Sequence, residues 1–365
     1  NYGGVMSSGT DSTGIVTGLL PNVWGMTLKA PTTNGLDMQA RLGLYTHMNG
    51  GQNSLGNGQI NLRETNFSVS GSFGTVLIGR SLGIHQSKAI LNDMLLFGVG
   101  AAPSADNSNT TLGRIGLGYL YTDFQPQISW VTPGLGPIGF KLGVFDPNDV
   151  NSAKNGADAT ENHAPRVEAE LSWSGDFFNT PIGVDLWVDG SYQNTEFTAA
   201  AAGLCNAAGT GAGNLGQATN KNCDEVDSAG VGFGTKLSYD MFTLVASGFY
   251  GSGMGMRGQH SEGALDGVGK PITTYGGYLQ GTADFGQGTN VGYSYGGNFA
   301  TQTGDDLDDT AIAEVDSQTM HSGMIWHNIN DNFRVIAEGG YVNQSYHLGG
   351  DFDDVFGGVG AFFFW

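Results

Sequence analysis

Positive charge is what this sequence has least of. Only 14 of its 365 residues are Lys or Arg, against 34 Asp and Glu, for a formal net charge of −20. A surface so acidic repels phosphate backbones, which excludes nucleic acid as a partner. Charge of either sign is scarce at 13%, about half the usual share of a soluble domain. Long apolar runs are missing too. The uncharged run at residues 94–105 is too short to cross a bilayer as a helix, and the one at 197–220 is mainly Ala, Gly, Asn and Thr. Cysteine is limited to Cys205 and Cys223, both in one polar stretch. They suit a disulfide in an oxidising compartment, worth ~3 kcal/mol on the chain-entropy model, or else two free thiols. As a metal site they fall short, because structural zinc takes four ligands. No His-Glu-x-x-His, Walker loop or Gly-x-Ser-x-Gly occurs, so the enzyme classes those motifs mark are not indicated. Asn1-Tyr2-Gly3-Gly4 opens the sequence without a basic or apolar leader, as in a mature or a cytosolic form.

What is abundant is glycine, at 62 residues, more than twice the usual share of about 7%. Aromatics reach 11%, with 20 Phe and 13 Tyr, so a disordered chain does not fit. The dominant pattern is alternation with period 2. Leu36, Met38, Ala40, Leu42 and Leu44 fall on one face, opposite Asp37, Gln39, Arg41, Gly43 and Tyr45. Val167, Ala169, Leu171 and Trp173 oppose Arg166, Glu168, Glu170 and Ser172. Val231, Phe233, Thr235 and Leu237 face away from Gly232, Gly234, Lys236 and Ser238. The segments Ile138 to Val144 and Phe333 to Tyr341 repeat the scheme. Each is about ten residues long, the length a tilted strand needs to cross a bilayer, whereas strands of soluble proteins average five or six.

Aromatic residues recur near the segment ends, where interfacial girdles belong. Short connections, such as Ser238-Tyr239-Asp240-Met241 and Ile329-Asn330-Asp331-Asn332, alternate with long ones at residues 81–112, 147–164, 194–228, 251–273 and 297–316. Lipid tolerates no unpaired backbone, so a membrane chain without apolar helices must close its strands into a barrel. The expectation is an all-β transmembrane antiparallel barrel of about 16 strands, one domain over residues 1–365, with one short helical stretch at 86–96. Strand glycines such as Gly230, Gly232 and Gly234 belong where a side chain would crowd the lumen or a close contact.

Three stretches resemble the general bacterial porin family. Leu62 to Arg80 is similar to the family hairpin in which an Arg-acid strand leads through Gly-x-Phe-Gly to Gly-Arg, here Gly71-Ser72-Phe73-Gly74 and Gly79-Arg80. Ile128 to Pro133 followed by Gly139-Phe140 resembles its Tyr-x-Ser-Pro and Gly-Phe. At the end of the chain, Val359, Ala361, Phe363 and Trp365 alternate down to a terminal aromatic, with Trp where the family has Phe. The resemblance implies a 16-stranded homotrimer in the outer membrane of a Gram-negative bacterium, set in lipid and lipopolysaccharide. It implies that Trp365 signals to the barrel-insertion machinery. It also implies a long third loop, at residues 81–112, folded into the lumen with its acids facing a ladder of wall arginines. Arg80 matches by motif, Arg41 and Arg114 by position, and Arg63 and Lys141 are further wall candidates. Phe97-Gly98 matches the family's loop tip, but the glutamate before it is missing, so the acid falls to Asp93 or Asp106.

The other clusters have two readings each. Asp305, Asp306, Asp308 and Asp309, and likewise Asp351, Asp353 and Asp354, are solvated loop charge or a divalent cation site for Ca²⁺ that bridges anionic lipid sugars. His321 and His327, six apart on one strand face, are girdle residues or a metal pair. Three functions follow. The first is a diffusion porin for small hydrophilic solutes and ions, needing no cofactor and doing no enzymatic chemistry, its mouths favouring cations. The second is a substrate-specific channel with an aromatic lumen track, hinted at by the inward Phe145 and Trp187. The third is a secreted β-rich adhesin or glycan-binding protein without a barrel.

Overall fold

A computed structural model describes residues 2–7, 13–47, 60–100, 111–134, 136–151, 158–178, 180–198, 225–261, 263–266, 269–301, 315–347 and 351–365. Its strands are β1 (Tyr2–Ser7), β2 (Thr13–Val16), β3 (Asn22–Lys29), β4 (Asp37–Thr46), β5 (Asn61–Gly71), β6 (Gly74–Leu82), β7 (Phe124–Val131), β8 (Ile138–Phe145) and β9 (Ala159–Glu161). They continue with β10 (Arg166–Asp176), β11 (Gly183–Phe197), β12 (Glu225–Tyr239), β13 (Phe242–Ser252), β14 (Thr273–Asp284), β15 (Thr289–Ala300), β16 (Val315–Asn330), β17 (Phe333–Tyr346) and β18 (Phe352–Phe363). The expected helical stretch is a single α-turn, α1 (Ser87–Asn92), followed by a 3₁₀ turn at Met94–Phe97.

All strand pairs are antiparallel and belong to one sheet. Apart from the short β2 and β9, sixteen strands run alternately up and down. β18 pairs with β1, and Trp365 rests on Trp24 of β3 with ring centroids 5.3 Å apart, so the end of the sheet returns to its beginning. This is a transmembrane β-barrel. Turns at one end are tight. Thr33 and Leu36 exchange backbone hydrogen bonds of 3.1 and 3.0 Å around Asn34 and Gly35, both at positive φ, as a type I′ hairpin requires. Connections at the other end are long.

The distribution of polarity is inside-out relative to a soluble protein. Ile128, Leu171, Phe233, Leu279 and Ile325 are all roughly half exposed, while their strand neighbours Gln127, Glu170, Gln280 and Ser322 are buried. Side chains alternate across a strand, so the apolar row faces lipid and the polar row faces the lumen. Aromatics ring both ends of the lipid belt. Phe333 stacks on Phe363 at the short-turn end, and Tyr275 stacks on Phe299 at the long-loop end.

An arginine at Val231, in the middle of the lipid face of β12, should cost about 2–4 kcal/mol of folding free energy, whereas Glu225→Arg at the rim should cost ~0–1 kcal/mol. Urea titration of folding into phospholipid vesicles measures both.

Candidate functional site

The interior is occupied by chain from the long-loop end. The third loop turns inward after β6 in its described residues, 83–100 and 111–123, and wall side chains hold its backbone. Glu168 accepts from the N–H groups of Ile84 and His85 at 2.7 and 2.9 Å. Asp189 accepts from the Gln86 N–H at 2.9 Å and contacts His85 Nδ1 at 2.6 Å. Further on, Gln280 accepts from Met94 N–H and donates to the Asn92 carbonyl. Glu338 accepts from Gly100 N–H, and Asn298 accepts from Gly118 N–H while donating to the Tyr119 carbonyl. A buried backbone group without a partner is costly, and these lumen-facing side chains remove that cost. Apolar contacts complete the seat. Met94, Leu95 and Val99 pack on Met320, Met324, Ile336 and Phe356 of β16–β18, and Ile90 and Tyr119 pack near Trp187 and Tyr278. Each such side chain contributes about 1.5–3 kcal/mol when fully buried.

Strand glycines make the room. A Cβ on Gly230 would lie 3.0 Å from His85 Nε2, one on Gly232 would collide with Gln86 and Asp189, and one on Gly234 would enter the Trp187 ring. The expectation of crowding at these glycines is met, with the loop and Trp187 as the crowding groups. Phe145 and Trp187 do face inward, but each is packed beneath other side chains: Phe145 holds the Arg166 guanidinium over its ring at 5.3 Å.

The residues expected at the constriction separate into three groups. Arg41 on β4 is paired with Glu64, Nε to Oε1 2.8 Å, and Lys141 on β8 with Glu170 at 3.2 Å. Asp93 and Arg114 do not oppose each other across the lumen. Arg114 is on the loop, not on the wall, and its Nε lies 3.8 Å from Asp93 Oδ1 with both side chains fully buried. Asp93 caps the 3₁₀ turn by accepting from Leu95 N–H and also accepts from the Tyr119 hydroxyl at 2.9 Å, which is why it points into the loop. Burial pushes its carboxyl pKa up, against the opposing pull of Arg114, and burial pushes the Arg114 guanidinium down.

Arg63 forms the third group. The β4–β5 register shifts between Gly43, opposite Glu64, and Leu44, opposite Leu62, leaving Arg63 as the extra residue of a bulge. Its guanidinium lies over the Tyr45 and Phe124 rings, 4.9 and 5.8 Å from their centroids, and donates to the Tyr121 hydroxyl at 3.4 Å. Burial raises Tyr121 to about 12, while the charges of Arg63 and Arg80 pull the other way. Arg80, on β6, brings its charge near the same loop residue. Asp106, Cys205, Cys223, Asp305, Asp306, Asp308 and Asp309 lie outside the described residues. His321 and His327 take girdle positions, hydrogen-bonded to the Tyr293 and Thr289 hydroxyls. Among the described residues, Glu161, His163 and Glu196 gather three ligand-type atoms within 4.8 Å of one another.

A second in-folded segment, described at residues 253–261, 263–266 and 269–272, was not anticipated. Met254, Met256, His260 and Leu265 are buried in it, and Asn298 donates to the Met256 carbonyl at 2.8 Å. Two methionines, a leucine and an isoleucine in a supposedly solvated loop were the available signal. Between this segment, the third loop and the β4–β5 wall lies a cleft of about 500 Å³, lined by Leu91, Leu96, Phe97 and Leu112 on one side and by Tyr45, Arg63, Glu64 and Tyr121 on the other.

A lipid-facing barrel with a loop-filled polar interior is the architecture of an outer-membrane channel. The family model for the Gram-negative porin matches residues 2–347, and the chain belongs to that family. Among solved structures, the outer membrane channel DcaP of Acinetobacter baumannii is similar at 13% identity and a TM-score of 0.69, over 100% of this chain and 96% of that one. An anion-selective porin from Comamonas acidovorans is similar at 14% identity and a TM-score of 0.62, over 99% and 96%. OmpT of Vibrio cholerae, in its trimer form, is similar at 13% and 0.54, over 100% and 98%. No curated protein matches the sequence.

The His260 ring is held down to about 3 by burial, with Arg166 and His85 adding repulsion. A base depressed from the ordinary histidine value of 6.5 contributes stability above that value and loses it as pH falls toward the folded pKa. The seating of residues 253–272 should therefore loosen between pH 7 and 5. Hydrogen exchange of that segment should quicken over this range beyond the intrinsic rate change, and His260→Gln should flatten the dependence.

Proposed function

We propose that the protein forms a water-filled pore for passive diffusion of small hydrophilic solutes and ions, with the third loop setting its narrowest section. The observation that carries this reading is the row of lumen-facing Glu168, Asp189, Gln280, Asn298 and Glu338 holding loop backbone inside the barrel. A loop so tethered narrows the passage without closing it by chance motion, and the remaining polar wall filters by size and field. Arg41, Arg63, Arg80 and Lys141 form the wall side of the constriction. Glu64 and Glu170 neutralise two of them, which leaves Arg63 and Arg80 as its positive elements. Asp106 is the candidate for an acid on the loop side, since Asp93 is spent on Arg114.

The protein works as one domain over residues 1–365 and as a homotrimer, a reading supported by the fold it shares with the trimeric OmpT. It sits among outer-membrane lipid and lipopolysaccharide, where Ca²⁺ held by Asp305, Asp306, Asp308 and Asp309 would bridge anionic lipid sugars. The same acids make the mouths favour small cations. A substrate-specific channel is the second reading, favoured by the amphipathic cleft beside Arg63.

Single-channel recording in a planar bilayer should show conductance in KCl closing in three equal steps, and a KCl gradient should give a reversal potential of cation sign. Loss of the terminal aromatic, by Trp365→Ala, should lower the yield of heat-modifiable barrel in the outer membrane, read on unheated gels, while refolding in detergent proceeds.

A further inference from the structure

The cleft beside Arg63 is more than leftover space. One side is apolar and belongs to the in-folded loop: Leu91, Leu96, Phe97 and Leu112 line it. Leu91 is 57% exposed there, although α1 lies inside the barrel, where the other apolar side chains Ile90, Met94 and Leu95 of this stretch are buried. A leucine facing a water-filled passage costs apolar hydration unless something apolar covers it. The other side carries Arg63, and Arg257 lines the cleft as well. Among the described residues Arg63 has no carboxylate partner; its contacts are the Tyr45 and Phe124 rings and the Tyr121 hydroxyl. The neighbouring Glu64 is already engaged by Arg41 at 2.8 Å and by the Tyr45 hydroxyl at 3.3 Å. The β4–β5 bulge is what turns two successive residues, Arg63 and Glu64, toward the same cleft.

We infer that this cleft binds organic carboxylates with an apolar body, the carboxylate on Arg63 and the body against the third-loop leucines. The inference rests on the channel reading and names the solute class for which the passage holds a site. A guanidinium that keeps most of its donors unused takes a carboxylate in a fork, held in place here by two aromatic rings. A neutral isostere would leave the guanidinium unpaired, and an anion without an apolar body would leave Leu91 uncovered. Pockets with an apolar lining and a few convergent polar groups discriminate in this manner.

Isothermal titration of the detergent-folded full chain with phenylacetate, phenylacetamide and acetate tests the inference. Phenylacetate should bind measurably tighter than the other two. Arg63→Gln, with its barrel checked by heat-modifiable migration, should weaken phenylacetate by at least about tenfold. Equal binding of phenylacetate and phenylacetamide, no binding of phenylacetate, or an unchanged affinity in Arg63→Gln would overturn it. If that variant does not fold, the wild-type ranking of the three probes decides. Planar-bilayer recording separates the two readings. A protein that conducts KCl but shows no phenylacetate-dependent block and no binding refutes the site alone. One that binds phenylacetate but never conducts refutes the channel.

Discussion

The structure depends on hydrogen bonds from lumen-facing wall side chains to the backbone of chain folded into the barrel. A barrel of sixteen strands satisfies its own backbone through its ladders, but a loop pushed inside it does not. Residues 84–86 have no ladder to join, and Glu168 and Asp189 take their N–H groups instead. These acceptors sit on strands β10 and β11, opposite the glycine row of β12 that leaves space for His85 and Gln86. Acceptors on one wall and vacancies on the next are two parts of one arrangement, and neither has a purpose without the loop.

That arrangement also sorts the charges. Buried ions persist only when paired and hydrogen-bonded, so Asp93 turns to Arg114 and Tyr119, and Arg166 turns to Glu168 at 3.1 Å. Both pairs serve to seat chain rather than to meet solute. Arg63 escapes this use because the bulge displaces it from the ladder, and aromatic faces rather than a carboxylate hold it. In a molecule with a net charge of −20, an arginine held by aromatic rings beside the exposed Leu91 is the feature that points to a solute.

The resemblance carried by residues 62–80 named the hairpin, the loop and most of the wall arginines, and the loop is where that resemblance placed it. Its length was underestimated: the strand after it begins at Phe124, not near residue 112, because residues 113–122 are turns pinned by Asn298 and Tyr278 rather than wall. Arg114 was misplaced for the same reason. Spacing from a motif locates a residue along the chain, but a turn can carry it off the sheet. The inward course of residues 253–272 left only an excess of apolar residues in a loop as its trace.

By itself the sequence determined the barrel. Period-2 alternation sustained over about ten residues, with no apolar helix and with aromatics at segment ends, leaves closed strands in lipid as the one arrangement that satisfies the backbone. Local pattern suffices there because each strand reports its own two faces. What fills the barrel was decided only by tertiary structure. Whether Asp93 faces a wall or its own loop, and whether Arg63 is paired or free, depends on partners up to hundreds of residues away, such as Gly100 and Glu338. No periodicity encodes those meetings; the packing of loop against wall does.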